Sequence, residues 1–244
     1  HIVACHSAGT TDDGQSYLVM EFVDGPDLKS WIHEHGPVPC APALRLTKAL
    51  AQALSHAHQL GVIHRDVKPE NILLESVTST AIDVSFPFVP KLVDLGLARM
   101  TKEVVGFGLT SPGSVMGTPS TMSPEQFDDP DSVDFRTDIY ALGCVLYEML
   151  SGRPPFTGES STDVLANILH REPPRLALEG EELAPEIGAI LGKALAKERF
   201  ERYATSRALL ADLKAAQKRL QFEAELGRQS SADRGSAVVP TRNS

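Results

Sequence analysis

The run His64-Arg65-Asp66-Val67-Lys68-Pro69-Glu70-Asn71-Ile72-Leu73-Leu74 constrains this chain more than any other feature, because it packs a base, a cation and a metal ligand into one short loop. Phosphoryl transfer needs all three. Asp66 can accept the proton of an attacking hydroxyl, Lys68 can neutralise charge growing on the moving group, and Asn71 can supply an oxygen to magnesium. A charged surface loop that matched by accident would have to match at many specified positions at once.

Four further stretches follow in order. Lys91-Leu92-Val93-Asp94-Leu95-Gly96-Leu97-Ala98-Arg99 reads as a short apolar strand that delivers an aspartate into a glycine turn, where a carboxylate can bridge magnesium and phosphate oxygens. Alone it would be an ordinary strand-to-turn junction. Gly117-Thr118-Pro119-Ser120-Thr121-Met122-Ser123-Pro124-Glu125 is by composition a Ser/Thr/Pro-rich loop. Asp138 to Gly152 reads as a largely buried helix with a C-terminal glycine stop. In Arg199-Phe200-Glu201-Arg202-Tyr203, Arg202 has surface charge as its default reading.

Taken in this order, the stretches resemble the motifs of the protein kinase family, over nearly the whole chain before its tail. Gly117 to Gln126, ending Met-Ser-Pro-Glu-Gln, looks most like bacterial serine/threonine kinases. The resemblance implies that His64–Leu74 is the catalytic loop and Asp94-Leu95-Gly96 the D-F-G element, with Leu in place of Phe. Asp66, Lys68 and Asn71 would be catalytic. Asn71 and Asp94 would hold Mg2+, and the cofactors would be ATP and Mg2+. The backbone of Glu21 and Val23 would bond adenine, Met20 would be the gatekeeper, and Leu73 the floor of the adenine pocket. Thr118 and Lys68 select serine and threonine over tyrosine as acceptors. Asp138 would hold the backbone of the catalytic loop, Arg202 would pair with Glu125, and His64 would brace the loop without being the base. Arg65 resembles the arginine that captures a phosphorylated activation loop, so phosphorylation is expected at Thr101, Thr110, Ser111 or Ser114. The implied partners are a protein with a Ser/Thr acceptor and ATP, with a dimer for trans-autophosphorylation left open.

Bulk properties narrow the alternatives. A chain of 244 residues with 42% hydrophobic content can bury a substantial core. A net charge of -9 gives no footprint for nucleic acid, so none is expected as a partner. Cys5, Cys40 and Cys144 have no metal-like spacing and fit a reducing compartment, which with the absence of a leader points to a cytoplasmic domain. Membrane association of the full-length protein stays open. The opening His1-Ile2-Val3 reads as a fragment that lacks the glycine-rich phosphate cover and its lysine, so weak activity or none is expected of it.

The expected fold class is α+β and protein-kinase-like: a mainly helical large lobe preceded by the last strands of a truncated small lobe. Residues 1–24 would be the small-lobe remnant and hinge, 25–222 the large lobe, and 223–244 a disordered tail or linker. Asp12-Asp13-Gly14 predicts a hairpin turn with the next strand over Tyr17 to Val23, and Asp27 caps a helix starting at Leu28. Leu44, Leu46, Leu50, Ala53, Leu54, Ala57 and Leu60 predict a helix ending at Gly61, with His56 and His58 near its end and given no role. Residues 75–90 are longer than a tight kinase hairpin and predict an extended surface hairpin, with Phe86 and Phe88 packing locally. Two other readings stay open: a pseudokinase or docking module that binds partners without phosphotransfer, and a small-molecule phosphotransferase with a related His-x-Asp loop.

Overall fold

A computed structural model describes residues 1–77, 86–95, 120–178, 181–182 and 184–235. In chain order the elements are β1 (Cys5–Thr10), β2 (Ser16–Met20), α1 (Leu28–His35), α2 (Cys40–Gln59), β3 (Ile72–Ser76), β4 (Phe88–Leu92), α3 (Glu125–Asp128), α4 (Arg136–Ser151), α5 (Ser161–His170), β5 (Ala177–Leu178), β6 (Glu181–Glu182), α6 (Pro185–Ala194) and α7 (Ser206–Gly235). The architecture is that of the expected α+β class, with strands in antiparallel pairs and helices forming the bulk.

The fold is organised around α4, which buries every residue from Thr137 to Leu150. A helix apolar on all sides can be stable only if it is packed on all sides. It stops where Gly152 adopts a left-handed φ of 74° and its N–H donates to the Glu148 carbonyl at 2.8 Å. Against it lies α2, whose Leu46, Leu50, Leu54 and Ala57 form the buried stripe anticipated from their spacing. Leu209, Leu213 and Ala216 of α7 close the far side of α2.

Local signals set the smaller elements. Asp27 caps α1 by accepting from Ser30 N at 2.8 Å and from Ser30 Oγ at 2.7 Å. Ser160 and Asp163 form a reciprocal capping box on α5. β3 and β4 pair antiparallel from Ile72↔Leu92 to Ser76↔Phe88, and His1–Val3 docks on β4 through Val3 N→Leu92 O and Leu92 N→His1 O, both 2.9 Å. Gly25 is required by close approach, since a Cβ there would lie 1.9 Å from the Leu74 carbonyl oxygen.

Two expectations need adjustment, while the local packing expected of Phe86 and Phe88 is present. The strand expected over Tyr17 to Val23 ends at Met20, and Glu21 to Val23 leave the ladder. The long 75–90 connection turns inward at its base: Phe86 is buried, edge-on to Trp31 at 4.9 Å and to Phe88 at 5.2 Å, while Arg45 donates to its carbonyl at 2.5 Å. Residues 78–85 of that connection lie outside the described residues. The tail expected to be disordered from 223 is instead helical to Gly235. Once α7 is nucleated by its packed first turns, each added residue fixes one hydrogen bond at low cost, and the Ala, Glu, Leu, Gln and Arg residues there are good helix formers.

Candidate active site

The candidate loop runs from the end of α2 into a short 3₁₀ turn at Pro69–Asn71, and Asp66 is its hub. Asp66 Oδ2 accepts from Lys68 Nζ at 2.7 Å and from Asn71 Nδ2 at 2.9 Å, and Asn71 Nδ2 also donates to the Asp66 carbonyl at 2.8 Å. Asp66 Oδ1 has no hydrogen-bond partner among the described residues, and the side chain is 42% exposed. One carboxylate oxygen is therefore pinned, and the other is left unpaired among the described residues. Asn71 spends its amide hydrogens on Asp66, and its Oδ1 has no hydrogen-bond partner among the described residues.

His64 is fully buried beneath this loop. Its Nε2 lies 2.9 Å from the Val93 carbonyl, which can only accept, so that nitrogen carries the hydrogen; Nδ1 then accepts from Asp66 N at 3.3 Å. With both ring nitrogens engaged, His64 braces the loop and has no lone pair left for a substrate. Val93 N donates in turn to Asn71 O at 3.0 Å, which ties β4 to the loop and brings Asp94 beside Asn71 in sequence register. Asp94 has a left-handed φ of 60°, and its carboxylate has no hydrogen-bond or ion-pair partner among the described residues. The free oxygens of Asn71 and Asp94 are hard donors of the kind magnesium accepts, so the residues present fit that ion.

The loop is hung from α4 by Asp138, a carboxylate only 1% exposed. Its Oδ2 accepts from His64 N at 2.9 Å and its Oδ1 from Arg65 N at 2.8 Å. This holds Arg65 at a φ of 69°, a region that non-glycine residues rarely enter. His58 Nε2 donates to the same Oδ2 at 2.7 Å, and its Nδ1 lies 3.1 Å from Ser206 Oγ at the start of α7. From the other side, Gln126 Nε2 donates to the Arg65 carbonyl at 3.1 Å, while Gln126 Oε1 accepts from Thr137 Oγ1 at 2.8 Å and from Ser123 N at 3.0 Å.

The end of β2 leads into a backbone edge that is unpaired among the described residues. Glu21 N donates to Ala4 O at 2.9 Å, but the Glu21 carbonyl and the Val23 N–H have no hydrogen-bond partner among the described residues. The Glu21 side chain is turned away, accepting from Ala4 N at 2.9 Å and pairing with Lys91. Lys91 draws its carboxyl below the usual range, with the Ala4 amide adding to the effect. Met20 ends β2 at 41% exposed, and Leu73 lies on β3, bridged to Asp27. Of the proposed activation segment, residues 96–119 lie outside the described residues, including Thr101, Thr110, Ser111, Ser114 and Thr118.

Comparison with known sequences fits this geometry. A family-wide sequence profile described as "Protein kinase domain" matches residues 1–213. The chain belongs to the protein kinase family. It is 39% identical over 215 residues to serine/threonine-protein kinase PknB of Mycobacterium tuberculosis, covering 87% of this chain and 32% of that protein. It is 38% identical over 204 residues to PknD of the same species, covering 83% and 28% respectively. The PknB of Mycolicibacterium smegmatis is 38% identical over 215 residues. The chain thus spans about a third of the length of the curated relatives it matches.

In this protein kinase chain, sequence reasoning missed His58, Ser206 and Gln126. Only His58 carried a signal: it continues the four-residue spacing of Leu46, Leu50 and Leu54, which places it on the buried face of α2. The expected pairing of Arg202 with Glu125 is present as a two-pronged bridge at 2.7 and 2.8 Å, and Arg202 also donates to the Ala196 and Lys197 carbonyls. Burial acts to raise the Glu125 carboxyl, but the Arg202 fork outweighs it and the net shift is downward. A depressed folded-state pKa contributes stability at pH above the ordinary value of 4.5 and loses it as pH falls through the folded value. Arg202→Ala, which removes a fully buried guanidinium from a paired carboxylate, is expected to cost about 3–5 kcal/mol in urea unfolding at neutral pH. The gap from the parent chain should narrow as pH falls below 4.5 and through the depressed folded value; a gap constant with pH would exclude the ion pair as its source.

Proposed function

We propose that this protein is a serine/threonine protein kinase that transfers the γ-phosphoryl group of ATP to a protein serine or threonine hydroxyl. The observation that carries this reading is the pinned Asp66 carboxylate, with one oxygen held by Lys68 and Asn71 and the other open. The open oxygen orients the acceptor hydroxyl and takes its proton. Lys68, already beside Asp66, offsets charge on the transferred group. Asn71 Oδ1 and the Asp94 carboxylate would hold magnesium, which supplies charge neutralisation on the phosphate oxygens when bound. The Glu21 carbonyl and Val23 N–H, unpaired among the described residues, would provide an acceptor and a donor for the adenine edge, with Met20 and Leu73 lining that pocket.

The proposal is tested by incubating the full-length gene product with labelled ATP and magnesium, together with a generic protein substrate and a panel of small hydroxyl metabolites. Label on protein serine or threonine supports it. Label on a metabolite alone would point to a small-molecule phosphotransferase, and ATP binding without any transfer to a pseudokinase.

Regulation follows from Arg65, whose buried Nε has no partner among the described residues. A phosphate on Thr101, Thr110, Ser111 or Ser114 would give that guanidinium a charge-assisted partner and order the segment. Mass spectrometry of the active full-length protein is expected to find phosphate on at least one of the four. Active protein with all four unmodified would remove this form of control.

A further inference from the structure

A second basic site lies at the opposite end of α4 from Asp138. A cavity of about 200 Å3 opens there between the end of α4, the 152–157 loop and the end of α5, with Pro155 and Phe156 among its apolar walls. Arg153 and Arg171 both line it, and neither has an ion-pair partner among the described residues. For a chain of net charge -9, two arginines at one cavity without a carboxylate lining it depart from the general balance. Tyr147 also lines the cavity although the residue is only 2% exposed, and its hydroxyl has no hydrogen-bond partner among the described residues. A third cation stands behind the wall: Lys197 Nζ lies 3.8 Å from the centre of the Phe156 ring and donates to Ile168 O at 2.6 Å.

We propose that this cavity binds a phosphorylated serine or threonine side chain of a peptide, with Arg153 and Arg171 gripping the phosphate oxygens and the Tyr147 hydroxyl donating a further hydrogen bond. Two planar guanidiniums match a doubly charged tetrahedral oxyanion better than a single carboxylate. Burial raises the pKa of the Tyr147 hydroxyl, so it remains a donor at neutral pH, with the charge of Arg153 acting the other way. Tyr147 follows Asp138 by nine residues on one helix, a rise of roughly 13 Å and about two and a half turns, so the cavity opens on the face of α4 opposite the catalytic-loop anchor. The choice of a phosphorylated peptide rests on the kinase reading, because such peptides are the products of the proposed reaction.

The test is a binding titration of the full chain without ATP, so that it does not depend on turnover. The probes are a fluorescent phosphoserine peptide, its unphosphorylated twin, and inorganic phosphate as competitor. The phosphopeptide is expected to bind at least about tenfold more tightly than its twin, and an Arg153→Ala, Arg171→Ala pair to lose about that factor. Tyr147→Phe is expected to weaken binding severalfold. Both arginines are exposed, so the double variant should melt at the parent temperature, which separates lost binding from lost folding. Equal binding of phosphopeptide and twin, or an unchanged double variant, would overturn the proposal. Inorganic phosphate competing as well as the peptide would overturn its peptide part and leave a free oxyanion site. Because phosphotransfer is measured separately, a silent kinase assay with intact phosphopeptide binding would fault only the reaction, and the converse only this site.

Discussion

Asp66→Asn is expected to lower phosphate transfer from ATP to protein by about 10²–10⁴-fold, the range over which a positioned base contributes. The substitution keeps the shape of the side chain. It removes the negative charge and replaces one of the two oxygens with an amide that cannot accept a proton. Lys68 and Asn71 now converge on the carboxylate at 2.7 and 2.9 Å, and the variant can satisfy only part of that pairing. The side chain is 42% exposed, so little stability should be lost, and unfolding by urea should give nearly the parent midpoint. Nucleotide affinity is expected to change little, since the proposed adenine contacts come from Glu21 and Val23. An Asn variant that labels substrate at the parent rate would exclude Asp66 as the base.

Asp138→Ala is expected to damage folding and activity together, at about 3–5 kcal/mol in unfolding free energy. The carboxylate is 1% exposed and accepts from His64 N, Arg65 N and His58 Nε2. Its removal strands two backbone amides and an imidazole N–H away from water, and each buried unsatisfied donor costs about 1–3 kcal/mol. That is a large share of the roughly 5–15 kcal/mol that holds a typical domain together. Activity should fall further than stability alone explains. Arg65 sits at a φ of 69°, a strained region that persists only while its surroundings over-determine it, and Asp138 supplies that constraint one residue before Asp66. His58→Ala is the matched control: it loses one of the three contacts and leaves both loop amides held, so a loss of about 1 kcal/mol is expected. An Asp138→Ala chain within about 1 kcal/mol of the parent would show that the loop is held by other means, with Gln126 the next residue to test.

Asp66 and Asp138 differ in how legible their roles are in the chain alone. The role proposed for Asp66 comes from residue types in sequence, a carboxylate, a cation and an amide within six residues; an extended chain would hold Asp66 and Asn71 roughly 17 Å apart, and the turn at Pro69–Asn71 brings them together. The helical stripe of α2 and the buried helix ending at Gly152 are equally legible, since periodicity and a glycine stop are local signals. The helix beyond residue 222 reads as disorder because its composition is polar, and composition does not register that a packed helix is already nucleated at Ser206. His58 escapes notice for a related reason: a histidine's partners are set by what packs against it, and here these come from α4 and α7, 80 and 148 residues away in sequence.

By itself, then, the sequence determined the chemistry available at Asp66, Lys68, Asn71 and Asp94, the order of the motifs, and which faces of the helices turn inward. Spacing specifies these because neighbours in a loop or on one helical face are neighbours in space. Only the tertiary structure decided that Asp138 would carry the loop with His58 and Ser206 behind it, that Arg202 would fork onto Glu125, and that Arg153 and Arg171 would line one cavity with Tyr147. The reason is that hydrophobic burial states how much of a face is covered without naming the partner. Directional polar contacts form only where the packing of distant helices brings donor and acceptor within about 3 Å.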